Sequence, residues 1–309
     1  MIDAVVTWVD GDDPAHRAKR ARYADRGAHP EAMAATRFAS SGELRYAVQS
    51  LLRFCPFVRR IHVVTDGQHP FCLDTLFARP EGAARIRVVD HRVAYGAHAD
   101  LLPVFSSRSI ETMIHCIPDL AERFLYLNDD VFVGRPAQVS DYFDGDRPIL
   151  QGQWRRFPNP VLAWLKARLR AERPGFGAAQ RMAARMAGAR GRYFLLEHQP
   201  QPMRRSTLAR FYADDPAALR RQAGHRFRSP RQVSPLGLAA HLEIAGGART
   251  TAPRDVGYVR PGRPSGTALT EVMDRLQAGA FASFCVQSLD RFPEAGRATV
   301  LSGLEARYA

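Results

Sequence analysis

Four stretches of this chain run from an apolar or β-branched segment straight into an acid: Trp8-Val9-Asp10-Gly11, Val64-Thr65-Asp66-Gly67, Val89-Asp90-His91 and Leu127-Asn128-Asp129-Asp130. If each segment is a strand of an open parallel sheet, the acids gather beyond the carboxyl ends, where such sheets bind their ligands. Carboxylates placed there can hold a divalent cation or handle protons. Asp-Gly is also ordinary turn chemistry, and that reading is preferred for Asp66 and Asp90. Function is preferred for Asp10 and the Asp129–Asp130 pair, since adjacent acids after a buried strand are costly unless paired or metal-bound. Neighbours on an extended segment point to opposite sides. Asp130 is therefore taken as the direct ligand, with Asp129 acting through water or neighbouring contacts.

The elements that must position these acids are legible in the pattern of the first half. Ile2 to Val9 reads as a buried strand. Asp13 followed by Pro14 is an N-cap with proline at the first helical position, opening a helix toward Tyr23. Glu43 to Phe54 sets Leu44, Ala47, Val48, Leu51 and Leu52 on one helical face. Strands are expected at Arg60 to Thr65, Arg85 to Val89 and Arg123 to Leu127, with a helix over Ser106 to Ile117. Strands alternating with helices make an α/β fold with a mostly parallel sheet covered on both faces.

Residues 1–150 are read as this α/β core, 151–195 as a basic, helical insertion, and 196–309 as the rest of the same catalytic unit. Gln153 to Tyr193 holds ten Arg or Lys residues and one acid, Glu172. Val161, Leu162, Trp164, Leu165 and Leu169 can share one helical face, with Lys166, Arg168 and Arg170 on the other. Such a helix suits an anionic membrane or an anionic glycan, or simply packs on the core with its charges in water. Pro200 to Ala218 reads as loop then helix, and Thr250 to Thr267 as loop. Leu269 to Ala278 and Gly296 to Tyr308 read as helices.

The whole chain carries a formal charge of +13, nearly all from arginine, since Lys19 and Lys166 are the two lysines. A basic balance suits nucleic acid, an anionic membrane face or anionic small molecules, and arginine beside abundant alanine also follows from GC-rich coding. No recognition helix, zinc motif or aromatic-interleaved basic motif is present, so no nucleic-acid partner is expected. The four cysteines are widely spaced, without CxxC, as in a reduced cytosolic protein. The first residues lack a basic n-region, and no apolar run is long enough to cross a bilayer. A cytoplasmic protein, at most peripheral at the inner face of the membrane, is the expectation.

Several runs form an ordered set of blocks. The first is Thr7-Trp8-Val9-Asp10-Gly11-Asp12-Asp13-Pro14. The second is longer: Arg37-Phe38, Gly42-Glu43-Leu44-Arg45-Tyr46, Ile61-His62-Val63-Val64-Thr65-Asp66-Gly67-Gln68, Leu102-Pro103-Val104-Phe105-Ser106-Ser107, Ile110-Glu111, Ile114-His115 and Phe124 to Phe132. A fainter third takes in His198-Gln199-Pro200 and Arg226-Phe227-Arg228-Ser229. Together they resemble the signature blocks of the Stealth family, which includes bacterial capsule polymerases and the catalytic subunit of GlcNAc-1-phosphotransferase. Two departures stand out. Ala39-Ser40-Ser41 replaces an acid-bearing stretch, and Cys285-Val286 leads into Gln287-Ser288 where the family has Asn-Asp, with Asp290 two residues further on.

The resemblance implies a GT-A or Rossmann-like sheet that binds a nucleotide sugar, and transfer of a hexose-1-phosphate to a hydroxyl of a glycan or lipid-linked glycan. Mg²⁺ or Mn²⁺ is implied on Asp130, with Asp290 or Gln287 completing its ligands, and Asp129 in the catalytic set. Arg226 and Arg228 are the expected phosphate forks, and His198 the base for the acceptor hydroxyl. Asp10 and Gly11 would border the nucleotide, with Trp8 in the core beneath. Glu111 and His115, one helical turn apart, would reach the sugar together or form a plain helix-surface pair. The rival readings are a metal-dependent glycosyltransferase that releases a nucleoside diphosphate, and a catalytically weakened nucleotide-sugar binder.

Overall fold

The structure, a computed structural model, describes residues 1–24, 29–159 and 175–309. Four parallel strands form its centre: β1 (Ile2–Thr7), β2 (Val58–Thr65), β3 (Ile86–Asp90) and β4 (Arg123–Asn128). In space they run β4-β1-β2-β3, and strand Gln201–Arg204 adds antiparallel to β4. Their carboxyl ends are in register, with Thr7 opposite both Val64 and Asn128, and Thr65 opposite Asp90. Asp10, Asp66, Asp90 and Asp129–Asp130 therefore leave the sheet along one edge.

Alternation along β1 feeds two apolar layers. Val6 packs with Leu44, Leu51 and Leu127 on one face, while Val5 packs with Val64, Ile110 and Tyr126 on the other. Helix Glu43–Phe54 covers the first face, with Leu44, Ala47, Val48 and Leu51 fully buried and Leu52 partly so. Helix Ser107–Met113 covers the second. Helix Pro14–Arg22 begins as its cap predicts, the Asp13 carboxylate accepting from Ala15 N at 2.9 Å. Asp3, the acid inside β1, is fully buried. Burial raises its carboxyl, yet hydrogen bonds from His62, Arg59 and the Ala121 N–H hold it well below the usual range.

Two segments read as loop contain strands. Gln201–Arg204 is the antiparallel edge strand just named, and Val256–Val259 lies parallel to Ser283–Val286, which pairs antiparallel with Val131–Val133. Four-residue strands are too short to show a period, and their pairing comes from distant partners. Gly257 shows why this strand carries a glycine: a Cβ there would lie 2.3 Å from the Phe284 ring. A second small sheet joins Thr250–Thr251, Leu150–Arg156 and Arg192–Leu196. Helices Thr267–Gln277 and Glu294–Tyr308 form as the pattern predicts. The expected amphipathic helix carrying Val161, Leu162, Trp164, Leu165, Lys166, Leu169, Arg168 and Arg170 lies outside the described residues. Among those described, no helix is long and apolar enough to cross a membrane.

Candidate active site

The carboxyl end of β4 carries an acidic pole. Asp129 and Asp130 follow Asn128 at the turn into Val131–Val133, and the Asp130 carbonyl accepts from Val286 N at 2.9 Å. Glu43, at the first turn of its helix and 7% exposed, joins them electrostatically. Burial, then mutual repulsion, pushes the Asp129 carboxyl far above the carboxylate range. Burial and the charge of Glu43 push Asp130 up, and burial raises Glu43 itself. One oxygen, Asp130 Oδ1, is buried without a hydrogen-bond partner. An orphaned acceptor among three acids costs free energy unless a cation or proton fills the gap. Carboxylate oxygens are the ligand chemistry of a hard divalent ion, but among the described residues no three His, Cys, Asp or Glu side chains are arranged to hold one.

Asp290 stands at the margin of that set, its charge reaching Glu43. Ser288 adopts a left-handed conformation (φ 54°) and turns the chain into a short 3₁₀ segment. The turn buries Leu289 and leaves Asp290 exposed, where its carboxylate accepts from the Thr36 hydroxyl at 2.8 Å. Gln287, at the end of strand Ser283–Val286, accepts instead from the Tyr258 hydroxyl. Tyr258 lies within electrostatic reach of Asp130.

A basic pole lies beyond the end of β1. The Arg228 guanidinium donates to Ser107 Oγ at 2.7 Å, and its charge acts on buried Glu111. The Tyr126 hydroxyl lies 3.2 Å from Glu111 Oε1 and 2.8 Å from both Thr7 Oγ1 and Asn128 Oδ1, which ties this pole to the strand ends. Arg37 and Arg108 face the same place. Burial, then repulsion from Arg228, pushes each of them down to about 10. Arg108 is braced on the Gln232 and Gly175 carbonyls and Arg37 on that of Glu31, so three mutually repelling guanidiniums are held together near the Glu111 and Glu31 carboxylates, a concentration of positive charge that favours an anion.

His198 sits between the poles. Its ring stacks on Tyr258 (centroids 6.0 Å apart) on the acidic side and on Phe176 (4.6 Å). Burial first, and Arg228 second, lowers its pKa below the usual value, so the imidazole is neutral near pH 7 and able to accept a proton.

Other expected residues land elsewhere. Arg226 is exposed, its guanidinium 4.2 Å over the Tyr23 ring, while Phe227 packs with Phe38 and Phe105. Glu111 and His115 do not act as one pair. The α-helix ends at Met113, and His115 turns within the following 3₁₀ segment to stack on Tyr212 (6.1 Å), away from the Tyr126 network. Asp10 does turn work: its Oδ1 accepts from Asp12 N, and Gln68 grips its backbone at both N and O. Gly11 is fixed by close approach, since a Cβ would lie 2.4 Å from the Phe38 carbonyl oxygen. Asp90 caps the turn His91–Tyr95, and Asp66 pairs with Lys19 at 2.9 Å. Trp8 is buried, donating from Nε1 to Ser40 Oγ. Sequence reading missed Glu43, Arg37, Arg108 and Tyr258 as site residues. The first two sit in the ELRY and Arg-Phe runs, but an acid and an arginine at helix and turn boundaries look like ordinary solvated charges.

Residues 2–28 match the model of Stealth protein CR1, conserved region 1, and residues 37–149 that of Stealth protein CR2, conserved region 2. An exopolysaccharide phosphotransferase of Streptomyces coelicolor is 38% identical over 244 residues, covering 75% of this chain and 38% of the relative. A capsular polysaccharide phosphotransferase of Actinobacillus pleuropneumoniae is 40% identical over 148 residues, 47% of this chain and 39% of the relative. The exopolysaccharide phosphotransferase CpsY of Mycobacterium tuberculosis is 32% identical over 244 residues, 75% of this chain and 42% of the relative. The chain thus spans about two fifths of the length of these curated relatives. Among solved structures, the galactosyltransferase LgtC with donor and acceptor sugar analogs superposes with a TM-score of 0.47 at 11% identity, covering 100% of this chain and 97% of that one.

Proposed function

This chain belongs to the Stealth family, and from that premise we propose that it transfers a hexose-1-phosphate from a nucleotide sugar, a UDP-hexose, to a glycan hydroxyl. The reaction belongs to the assembly of a capsule or other cell-surface polysaccharide, as the names of its relatives suggest. The observation that carries the reading is the conjunction of an acid cluster with an orphaned carboxylate oxygen, three mutually repelling arginines, and a neutral histidine next to Arg228. Transfer of a phosphoryl group is catalysed by positioning and by neutralising charge on the phosphate oxygens, and these are the groups that work requires.

Asp130 and Asp129 would hold Mg²⁺ or Mn²⁺, with Gln287 and Glu43 beside them. The ion, when bound, neutralises negative charge on the donor diphosphate. Arg228 and Arg37 hold the sugar-bearing phosphate by hydrogen bonds, and Arg108, braced on the Gln232 and Gly175 carbonyls, adds positive charge beside them. Glu111 and Ser107 fix the direction of Arg228. His198 takes the proton of the acceptor hydroxyl as its oxygen bonds to the sugar-bearing phosphorus, and the bond from that phosphorus to the bridging oxygen breaks. UMP departs, and the product is a phosphodiester. We place the reaction in the cytoplasm, at most peripheral to the membrane.

Incubation with UDP-hexose, acceptor and Mg²⁺, followed by chromatography of the nucleotides, tests the reading. UMP with a phosphodiester product is the expected outcome. UDP with a glycosidic product would overturn it, since the sugar–oxygen bond would then be the one that breaks.

A further inference from the structure

The small sheet beside the site presents an unusual charge arrangement. Across the antiparallel pair Leu150–Arg156 and Arg192–Leu196, Arg156 stands directly opposite Arg192, and both are exposed. Like charges directly opposite on a strand pair destabilise it. Four more arginines lie on the first strand (Arg155), on helix Phe176–Met186 (Arg181, Arg185) and in the turn before the second strand (Arg190). The described residues from 149 to 196 contain no acid, and none of the six arginines there makes an ion pair with a described residue.

Two of these charges lie over aromatic rings. The Arg192 guanidinium lies 4.3 Å over the Trp154 ring, which is 39% exposed and meets Phe194 edge-on at 5.3 Å. Arg185 lies 5.1 Å over Phe157, which packs on Tyr193. The surface also continues into the candidate active site. Strand Arg192–Leu196 runs on to His198 two residues later, and Phe176, the first residue of the neighbouring helix, stacks on the His198 ring.

We propose that this arginine–aromatic face binds the acceptor as an anionic glycan, a chain whose sugar units are joined by phosphodiesters. The inference rests on the reaction proposed above, whose product carries one negative charge per added unit. Guanidiniums pair with the phosphodiesters, and the rings beneath Arg192 and Arg185 hold those guanidiniums in place. A lipid surface fits less well. The Trp154 ring is covered by a guanidinium and leans on Phe194, and Phe176 is stacked on His198, so neither ring is free to insert among acyl chains. The continuity with His198 suits a polymer whose end enters the cleft.

Binding without donor separates this proposal from the reaction itself. The full chain is titrated, by intrinsic tryptophan fluorescence and by sedimentation, with three probes: a short oligomer of hexose units joined by phosphodiesters, the uncharged glycan of the same sugars, and equimolar phosphatidylglycerol–phosphatidylcholine vesicles. The charged oligomer is expected to bind with an affinity that falls as salt rises. The exposed double variant R156Q/R192Q is expected to lose about tenfold, which is roughly 1.4 kcal/mol, while donor turnover with a monosaccharide acceptor is unchanged. Equal binding of the oligomer by wild type and variant would overturn the proposal. So would a loss confined to vesicles, which would make the face a membrane surface, or equal affinity for the charged and uncharged glycans. Release of UDP in the nucleotide assay would overturn the reaction reading and leave this binding measurement standing on its own.

Discussion

At the residue scale the site turns on protonation states set by burial and neighbouring charge. His198 is depressed by burial and by Arg228, so it keeps its lone pair down to a pH below the ordinary histidine value. If it is the base, kcat should hold through neutrality and fall on the acid side at a midpoint below 6.5. Replacing Arg228 by Gln removes a positive charge that disfavours the imidazolium. The same limb should then move to higher pH, even as the rate drops for want of a phosphate contact. Replacing His198 by Asn should abolish the limb. A pH–kcat series on the three proteins checks this, and a limb that survives His198→Asn would assign the base to another group. Glu111, buried and raised in pKa, is the group such a result would point to.

At the element scale, the turn after β1 is a joint between two segments, and Gly11 is its pin. Gly11 N donates to the Phe38 carbonyl at 2.7 Å, and its own carbonyl accepts from Arg20. With Phe38 backbone 2.4 Å from where a Cβ would sit, Gly11→Ala must push apart the turn and the segment that carries Arg37. Overpacking of this kind costs about 1–3 kcal/mol, and Arg37 moves with it. Denaturant unfolding should show that loss, together with a raised KM for the nucleotide sugar. An unchanged midpoint would mean that the turn yields freely. The same joint shows why much of the fold was legible and part of the site was not. β1 to β3 announce themselves through β-branched runs and β4 through the apolar run Phe124 to Leu127, and Asp13–Pro14 is a local signal with a local cause. Strands Gln201–Arg204 and Val256–Val259 exist because β4 and Ser283–Val286 offer them hydrogen bonds, information held far along the chain. Asp129 and Asp130 could be singled out because two acids after a buried strand are anomalous on sight. Glu43, Arg37 and Arg108 become anomalous only once folding gathers them beside like charges. Asp290 could be named from its spacing, but spacing along a strand says nothing of the left-handed Ser288 that leaves its side chain exposed and bonded to Thr36.

At the scale of the whole molecule, the two ends of the central sheet respond to pH with opposite signs. At the amino end, Asp3 is held far below its ordinary range by His62, Arg59 and a backbone N–H. It binds its proton less tightly when folded, so its stabilisation is present above the ordinary carboxylate range and is lost on strong acidification. At the carboxyl end, Glu43, Asp129 and Asp130 are raised. They bind protons more tightly when folded, so their contribution is favourable at acid pH. It is lost as pH climbs from the ordinary carboxylate range through their raised values. Without a divalent ion, the folded chain must pay to ionise this acid cluster as pH rises past neutrality, a cost that a bound cation would relieve. Asp130→Asn keeps the shape and removes one of the charges. At pH 8 in chelator it should melt above wild type, by about 2–4 °C for each kcal/mol recovered. The two curves should converge near pH 4, where the acids are protonated. Mg²⁺ should raise the melting temperature of wild type more than that of the variant, because stabilisation by a ligand follows its affinity for the folded state. Activity should run the other way, falling roughly 100-fold or more in the variant and vanishing for wild type in excess chelator. A variant that melts no higher than wild type at pH 8 would mean that the acids are not strained against one another. Full turnover by wild type in chelator would take the cation out of the mechanism and leave Arg37, Arg108 and Arg228 as the sole source of charge neutralisation.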